Sequence, residues 1–151
     1  FNVIPDEAIL RGTVRYHRPE QGPALEAEMR RVARGIGEAS GAQVEVQWTP
    51  YTPPTVNDPR VAALVAEAAR SLVGVQRVLT DYRVMAGEDF GEILARVPGC
   101  YALLGSGGED PSNAEPHHSP RFQIDEAVLP IGLALHQAVV KRVGQESALR
   151  S

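Results

Sequence analysis

The apolar positions of the first fifty residues predict a strand, a helix and a second strand. Residues 8–17, AILRGTVRYH, are rich in β-branched and apolar side chains, which is typical of a strand. A helix opens at Pro23 and has Gly41 as its stop signal; its apolar positions recur at helical spacing, at Leu25, Met29, Val32 and Ile36. Residues 42–49, AQVEVQWT, alternate between apolar and polar positions, which indicates a half-buried strand with one solvated face.

A proline-rich segment separates this part of the chain from a second pattern. Residues 51–57, YTPPTVN, contain two adjacent prolines that stiffen the backbone and remove hydrogen-bond donors, so we interpret them as a linker. Asp58 then suits the cap of a helix with Pro59 at its first position. The buried stripe of that helix is predicted at Val61, Leu64, Val65, Ala68 and Leu72.

The remainder of the chain alternates between short apolar runs and helical patterns. We expect a short strand near 75–80, a helix over 88–97 and an apolar strand at 101–104. A Gly/Pro/Ser-rich loop follows over 105–120, and a last helix begins around 125–127 and ends near 143. This order predicts an α/β layer with the long loop at a strand end, where such folds place ligands.

The composition of the chain limits which binding partners and which cellular compartment we expect. The net charge of -4 gives no electrostatic reason to expect nucleic acid or an anionic membrane as partner. No stretch approaches the roughly 18 apolar residues of a membrane span. Cys100 is the single cysteine, so an intrachain disulfide is excluded and a reducing cytoplasm is the expected location. Because it leads into an apolar run, we expect a buried structural thiol.

Two pairs of polar residues are candidates for chemistry. His117 and His118 lie in the polar loop, where an imidazole suits a metal, although from the spacing alone a solvated loop pair is the more common explanation. Adjacent histidines point apart, so only one would bind a given ion. Glu88 and Asp89 stand at a predicted helix start, where they either cap the helix or place an acid at a ligand site.

Two residues near the first predicted strand could recognise a substrate. Arg15 carries a planar fork suited to a carboxylate, and Asn2 can hydrogen-bond an amide carbonyl. In isolation, each is more often an ordinary surface or turn residue. His17 and His136 give no reason to infer a site.

Five motifs taken in order resemble a known family. They are NVIPD with RGTVR (residues 2–6 and 11–15), MAGEDF (85–90), VPG (97–99), HSP (118–120) and the following Phe122 with Asp125-Glu126. The chain resembles the C-terminal portion of the aminoacylase/carboxypeptidase family of two-metal hydrolases. Within it, the similarity is to the branch of hippurate hydrolase, N-acyl-amino-acid amidohydrolases and auxin-conjugate hydrolases.

The resemblance implies α/β and α+β architecture divided between two domains. Residues 1–50 would form the second half of an inserted α+β lid, or dimerisation, domain; residues 51–57 would be the hinge; and residues 58–151 would be the C-terminal part of the catalytic α/β domain. The chain opens within an apolar run, without an initiator Met, which we interpret as a cut through a longer protein.

The resemblance also implies the site residues. His118 would be a metal ligand and His117 would not, while Asn2 and Arg15 would bind the substrate's amide oxygen and α-carboxylate. The cofactors would be two divalent metal ions, zinc or else manganese, cobalt or nickel. The other ligands and the general-base glutamate are expected upstream of residue 1, so the catalytic residue is not identified and the chain alone is expected to be inactive.

The implied function is hydrolysis of N-acyl amino acids to an acid and an amino acid. The implied partners are that small molecule, the N-terminal remainder of the same enzyme and a second subunit bound through the lid. Two alternatives stay open: a non-catalytic family member used for binding, and a stand-alone dimerisation module. The sequence upstream of residue 1 would discriminate the first, and the oligomeric state in solution the second.

Overall fold

The computed structural model describes residues 2–108 and 115–148, and in these ranges the regular structure is helical. Six residues of the predicted long loop, 109–114, lie outside the described ranges. The elements in chain order are α1 (Gln21–Ser40), α2 (Pro59–Val73), a 3-10 turn (Val75–Arg77), the single-turn α3 (Gly91–Leu94) and α4 (Val128–Ala148).

Helix α1 confirms the predicted amphipathic helix and its glycine stop. Gly41 adopts a left-handed φ of 73°, and its N–H donates to the carbonyl of Gly37. A side chain at Gly41 would strain this backbone, so glycine suits the position. Val14 and the apolar stripe of the helix line an open groove of about 430 Å³. The helix contributes Leu25, Glu28, Met29, Val32, Ala33 and Ile36.

Helix α2 begins as predicted. The carboxylate of Asp58 accepts hydrogen bonds from the N–H groups of Arg60 and Val61, both at 3.0 Å, with Pro59 in the first turn. The helix packs against α4, and its residue Ala68 is fully buried. The guanidinium of Arg142 on α4 ties the two helices together through Glu67 at 3.2 Å and Ser71 at 3.1 Å.

The four predicted strands do not form, and this part of the sequence interpretation is wrong for the chain as it stands. Residues 8–17, 42–49 and 101–104 contain no strand, and the segment 75–80 begins instead with the 3-10 turn. A strand requires a neighbouring strand for its N–H and C=O groups, and the described residues supply none. Within the predicted strand 42–49, the carbonyl of Val46 accepts a hydrogen bond from a side chain instead, the Arg30 guanidinium at 2.8 Å. The expected α/β and α+β layers are therefore absent from residues 2–108 and 115–148.

The two later helices are present with shifted bounds. The helix predicted over 88–97 is reduced to the single turn α3, and the last helix begins at Val128 and extends to Ala148. Pro130 lies in the first turn of α4, where its missing N–H costs least.

Most of the apolar surface of this chain is not buried by the chain itself. The accessible surface is 12837 Å², whereas a compact domain of 16.3 kDa exposes about 7,500 Å². Among the described residues, Ala68 is the sole fully buried apolar side chain. In the same part of the chain, no helix has the length and apolar character needed to cross a bilayer. The fold therefore positions local elements while leaving wide apolar faces open.

Candidate functional site

The best-connected polar cluster of the described chain surrounds Glu88. The Glu88 carboxylate accepts a hydrogen bond from the Tyr101 hydroxyl at 2.7 Å and another from the Phe90 N–H at 3.1 Å. The rings of Phe90 and Tyr101 lie 5.5 Å apart at 41°. The Tyr101 hydroxyl, followed by the Phe90 N–H, holds the pKa of Glu88 below its usual value, and the same hydrogen bond raises the pKa of Tyr101.

The proline-rich segment fixes this cluster from the other side. The Asn57 amide forms two hydrogen bonds with the backbone of Tyr101: it donates to the carbonyl at 3.0 Å and accepts from the N–H at 2.8 Å. Next to it, the N–H of Asp58 donates to the carbonyl of Gly99 at 2.9 Å. The Asn57 side chain thus satisfies the backbone groups that a neighbouring strand would otherwise pair. We call Asn57, Glu88, Phe90 and Tyr101 the Glu88 network.

The same segment packs closely against the start of α3. The Thr55 hydroxyl donates to the carbonyl of Glu88 at 3.4 Å. Gly91 is buried, and an added Cβ there would lie 2.5 Å from the carbonyl oxygen of Pro53. The absence of a side chain at Gly91 therefore permits the approach of the two segments.

Arg15 connects the first part of the chain to this cluster. Its Nη1 donates to the carbonyl of Met85 at 2.6 Å, across 70 residues of sequence. Met85 opens the MAGEDF motif that contains Glu88. The guanidinium is exposed, and one hydrogen bond leaves most of its N–H donors for other acceptors. An anion could therefore bind Arg15 while Met85 holds it.

Asn2 is exposed, and no described hydrogen bond joins it to Arg15 or to the Glu88 network. The structure therefore does not bring together the two residues predicted to bind substrate. His17 and His136 are also exposed, and neither contacts the network.

The paired histidines point in different directions. The His117 ring packs edge-on against Phe122, with centroids 4.7 Å apart, whereas His118 adopts a left-handed φ of 70°. The two imidazoles stand 6.5 Å apart at 88°. Glu115 supports the loop through Ser119 at 3.2 Å and Arg121 at 2.8 Å. The left-handed backbone of a non-glycine residue costs energy and sets the direction of the His118 side chain.

The described residues do not fit a complete metal site. Over 2–108 and 115–148, no group of three or more His, Cys, Asp or Glu side chains could hold an ion. His118 offers one exposed imidazole, which is a suitable zinc donor but a single one. Cys100 was predicted to be buried and is only half-buried, and this partial burial raises the pKa of its thiol.

Sequence reasoning missed the roles of Asn57, Thr55 and Tyr101. The proline-rich segment was interpreted as a simple linker, although the Asn at its end can pair with backbone through its side chain. Its partner Tyr101 lies 44 residues away in sequence, a separation at which pattern and spacing carry no signal.

Comparison with known proteins gives consistent matches over nearly the whole chain. The family model described as Peptidase family M20/M25/M40 matches residues 4–142. The chain is 39% identical over 131 residues to an N-acetylcysteine deacetylase of Bacillus subtilis, which covers 87% of this chain and 33% of the relative.

Two further relatives come from other organisms. Thermostable carboxypeptidase 1 of Saccharolobus solfataricus is 34% identical over 136 residues, which covers 89% of this chain and 34% of the relative. IAA-amino acid hydrolase ILR1-like 4 of Arabidopsis thaliana is 27% identical over 146 residues, with 94% and 33% covered. The chain thus spans about a third of the length of these relatives. No solved structure matches.

Proposed function

The chain belongs to peptidase family M20/M25/M40, and from this premise we propose that it works as the C-terminal part of a metal-dependent amidohydrolase. The reaction we propose is cleavage of an N-acyl amino acid to an acid and an amino acid. Relatives named as a deacetylase, a carboxypeptidase and an amino acid conjugate hydrolase support this class of amide substrate. The chain's span of about a third of their length supports a partial enzyme.

The observation that carries the substrate assignment is the position of Arg15. An exposed guanidinium, held by the Met85 carbonyl at 2.6 Å, stands where the first part of the chain meets the MAGEDF motif. A planar guanidinium recognises a carboxylate through paired, charge-assisted hydrogen bonds. We propose that Arg15 binds the α-carboxylate of the substrate and that Asn2 binds its amide oxygen. Asn2 would reach the site only when the N-terminal remainder of the intact enzyme packs against the segment that carries it.

The open apolar faces support a place within a larger fold. We propose that residues 1–50 complete an α+β lid, that 51–57 act as a hinge, and that 58–151 complete an α/β catalytic domain. The N-terminal remainder of the intact enzyme would supply the strands that segments such as 8–17 and 42–49 lack here. The hydrogen bonds of the 53–58 backbone and side chains to residues 88–101 anchor the hinge to the catalytic side. A second subunit would bind through the lid.

For the metal centre we propose His118 as one donor to a pair of divalent ions, zinc or else manganese, cobalt or nickel. The remaining ligands and the general base would come from the other part of the intact enzyme, because the described residues lack such a cluster. On this proposal the chain alone has no complete site and no hydrolase activity.

Arg15→Ala in the intact enzyme tests the substrate assignment. Loss of a charge-assisted contact of roughly 1.5–3 kcal/mol should raise KM for N-acyl amino acids about 10- to 100-fold. The matching N-acyl amino acid amides, which lack the carboxylate, should show little change. Steady-state kinetics on both substrate series gives the comparison.

Arg11→Ala is the matched control, since Arg11 is an exposed arginine of the same motif. It should leave both series near wild type. Equal losses on acids and amides in Arg15→Ala would contradict the assignment. An intact protein that hydrolyses neither series would favour the non-catalytic binding function.

A further inference from the structure

We propose that Glu88 and Tyr101 are positioning residues for carboxylate recognition: their hydrogen bond fixes the Met85 carbonyl, and that carbonyl fixes Arg15. The inference rests on the proposed function, in which Arg15 binds the substrate carboxylate. It adds that Arg15 is supported by the hydrogen bond between Glu88 and Tyr101, which are 13 residues apart in sequence. Tyr101 is connected to Arg15 by two hydrogen bonds, Tyr101 to Glu88 and Arg15 to Met85, and by the short stretch of chain between Met85 and Glu88.

The first step concerns the segment that carries the Met85 carbonyl. Residues 83–88 form neither helix nor strand, so no regular hydrogen-bond pattern holds them. Met85 itself is partly exposed, and two small residues, Ala86 and Gly87, separate it from Glu88. A glycine-containing segment of this kind takes its position from whatever holds its ends. The Glu88 end is the one that the structure anchors.

The second step is the anchoring of Glu88 on three sides. Its carboxylate accepts from the Tyr101 hydroxyl and from the Phe90 N–H, and its carbonyl accepts from Thr55. Hydrogen bonds to an ionised carboxylate are stronger than neutral ones. Tyr101 is in turn fixed by the paired hydrogen bonds of Asn57. The Tyr101 hydroxyl therefore transmits the fixed position of the 57–58 backbone to Glu88.

The third step is the effect on Arg15. Arginine has many rotamers, and immobilising such a side chain during binding reduces affinity. The Met85 carbonyl at 2.6 Å already restricts the guanidinium before a ligand arrives. Without the anchor at Glu88, we expect the carbonyl to move and Arg15 to lose this restraint. The loss should appear as weaker binding of carboxylates and leave the chemistry unchanged.

The test is Tyr101→Phe in the intact enzyme. This change deletes the hydroxyl and keeps the ring that packs on Phe90. We expect KM for N-acyl amino acids to rise about two- to tenfold, with kcat and the kinetics of the matching amides unchanged. Tyr51→Phe is the control, because Tyr51 is 93% exposed, and it should change neither substrate series.

A double mutant tests whether Tyr101 acts through Arg15. In an Arg15→Ala background, Tyr101→Phe should add no further increase in KM, since the group it positions is gone. Glu88→Gln retains an acceptor oxygen for the hydroxyl and should stay within about twofold of wild type, whereas Glu88→Ala should match Tyr101→Phe. The Glu88 pair gives the same comparison if Tyr101→Phe does not fold.

The outcomes separate the two proposals. Additive effects in the double mutant, or equal losses on acids and amides in Tyr101→Phe, would overturn the positioning role while Arg15 keeps its own. An Arg15→Ala enzyme that does not distinguish acids from amides would overturn both.

Discussion

Helices α1 and α2 have similarly amphipathic sequences and very different surroundings. In α1, Met29 remains 40% exposed and Ile36 60% exposed, and within the described chain this helix packs against no other helix. Helix α2 packs against α4, and its Ala68 is fully buried. Periodicity therefore predicts that a helix forms, whereas burial depends on whether the chain also supplies the covering surface.

The proposed functional residues are also divided between two parts of the chain: residues 2–50, here called the α1 region, and residues 51–108 with 115–148, here called the α2–α4 region. On the proposed function, Arg15 in the α1 region would bind and orient the substrate, while His118 and the Glu88 network lie in the α2–α4 region. The Arg15 hydrogen bond to Met85 joins the two regions. Substitutions in the α1 region should thus affect substrate binding, and those around His118 should affect metal content and turnover.

The largest expected effect is that of His118→Ala in the intact enzyme. If His118 is a ligand, this variant should lose one metal per subunit and nearly all activity, because metal-dependent hydrolysis stops when an ion is lost. Mass spectrometry of the metal content, together with turnover, measures both. No substitution in the α1 region should change the metal content.

His117→Ala is the matched control. The His117 ring packs edge-on against Phe122 and stands at 88° to the His118 ring, so the full metal content should remain. Activity could fall about 10- to 100-fold, as is usual when a group that supports a ligand is lost. Metal loss in the His117 variant alone would show that the HSP motif has been aligned wrongly by one residue.

An intermediate effect should distinguish α2 from α1 in the chain by itself. Amide hydrogen exchange should be slower in α2 than in α1, because α2 is covered by α4. Ala68→Asp places an unpaired charge at a fully buried position and should speed exchange in α2 more than about tenfold. Ala63→Asp, at an exposed position on the same helix, should not. Equal protection of the two helices in wild type would contradict the comparison.

The features that were predictable from the sequence are those set by nearby residues. The Asp58 cap and the Gly41 stop each depend on groups within four residues, and both are confirmed. The predicted strands depend on partners that the described residues do not contain, so their local pattern was misleading for this chain. The Asn57–Tyr101 pair was missed because a side-chain amide can match any free backbone N–H and C=O, whatever the intervening sequence.

The smallest expected effect is a difference in pH range between two carboxylates, one in each region. Arg31 holds the pKa of Glu28 on α1 below the usual 4.5, and the Tyr101 hydroxyl, followed by the Phe90 N–H, does the same for Glu88. A lowered pKa in the folded state means that each contact stabilises fully above pH 4.5 and is lost as the pH falls through the lowered value.

At high pH only the Glu88 network should be lost, whereas the Glu28–Arg31 pair should remain. The Tyr101 pKa is raised above 10, so the Glu88 network keeps its full contribution from pH 4.5 up to pH 10 and loses it as the pH rises through the raised value. The Glu28 carboxylate raises the pKa of the Arg31 guanidinium further above its already high usual value, so the Glu28–Arg31 pair persists there. Carboxyl and amide NMR shifts of Glu28, Glu88 and Phe90, followed from pH 2 to about 11, should show one transition for α1 and two for the network. Tyr101→Phe should remove the alkaline transition alone; its persistence would mean that another group titrates there.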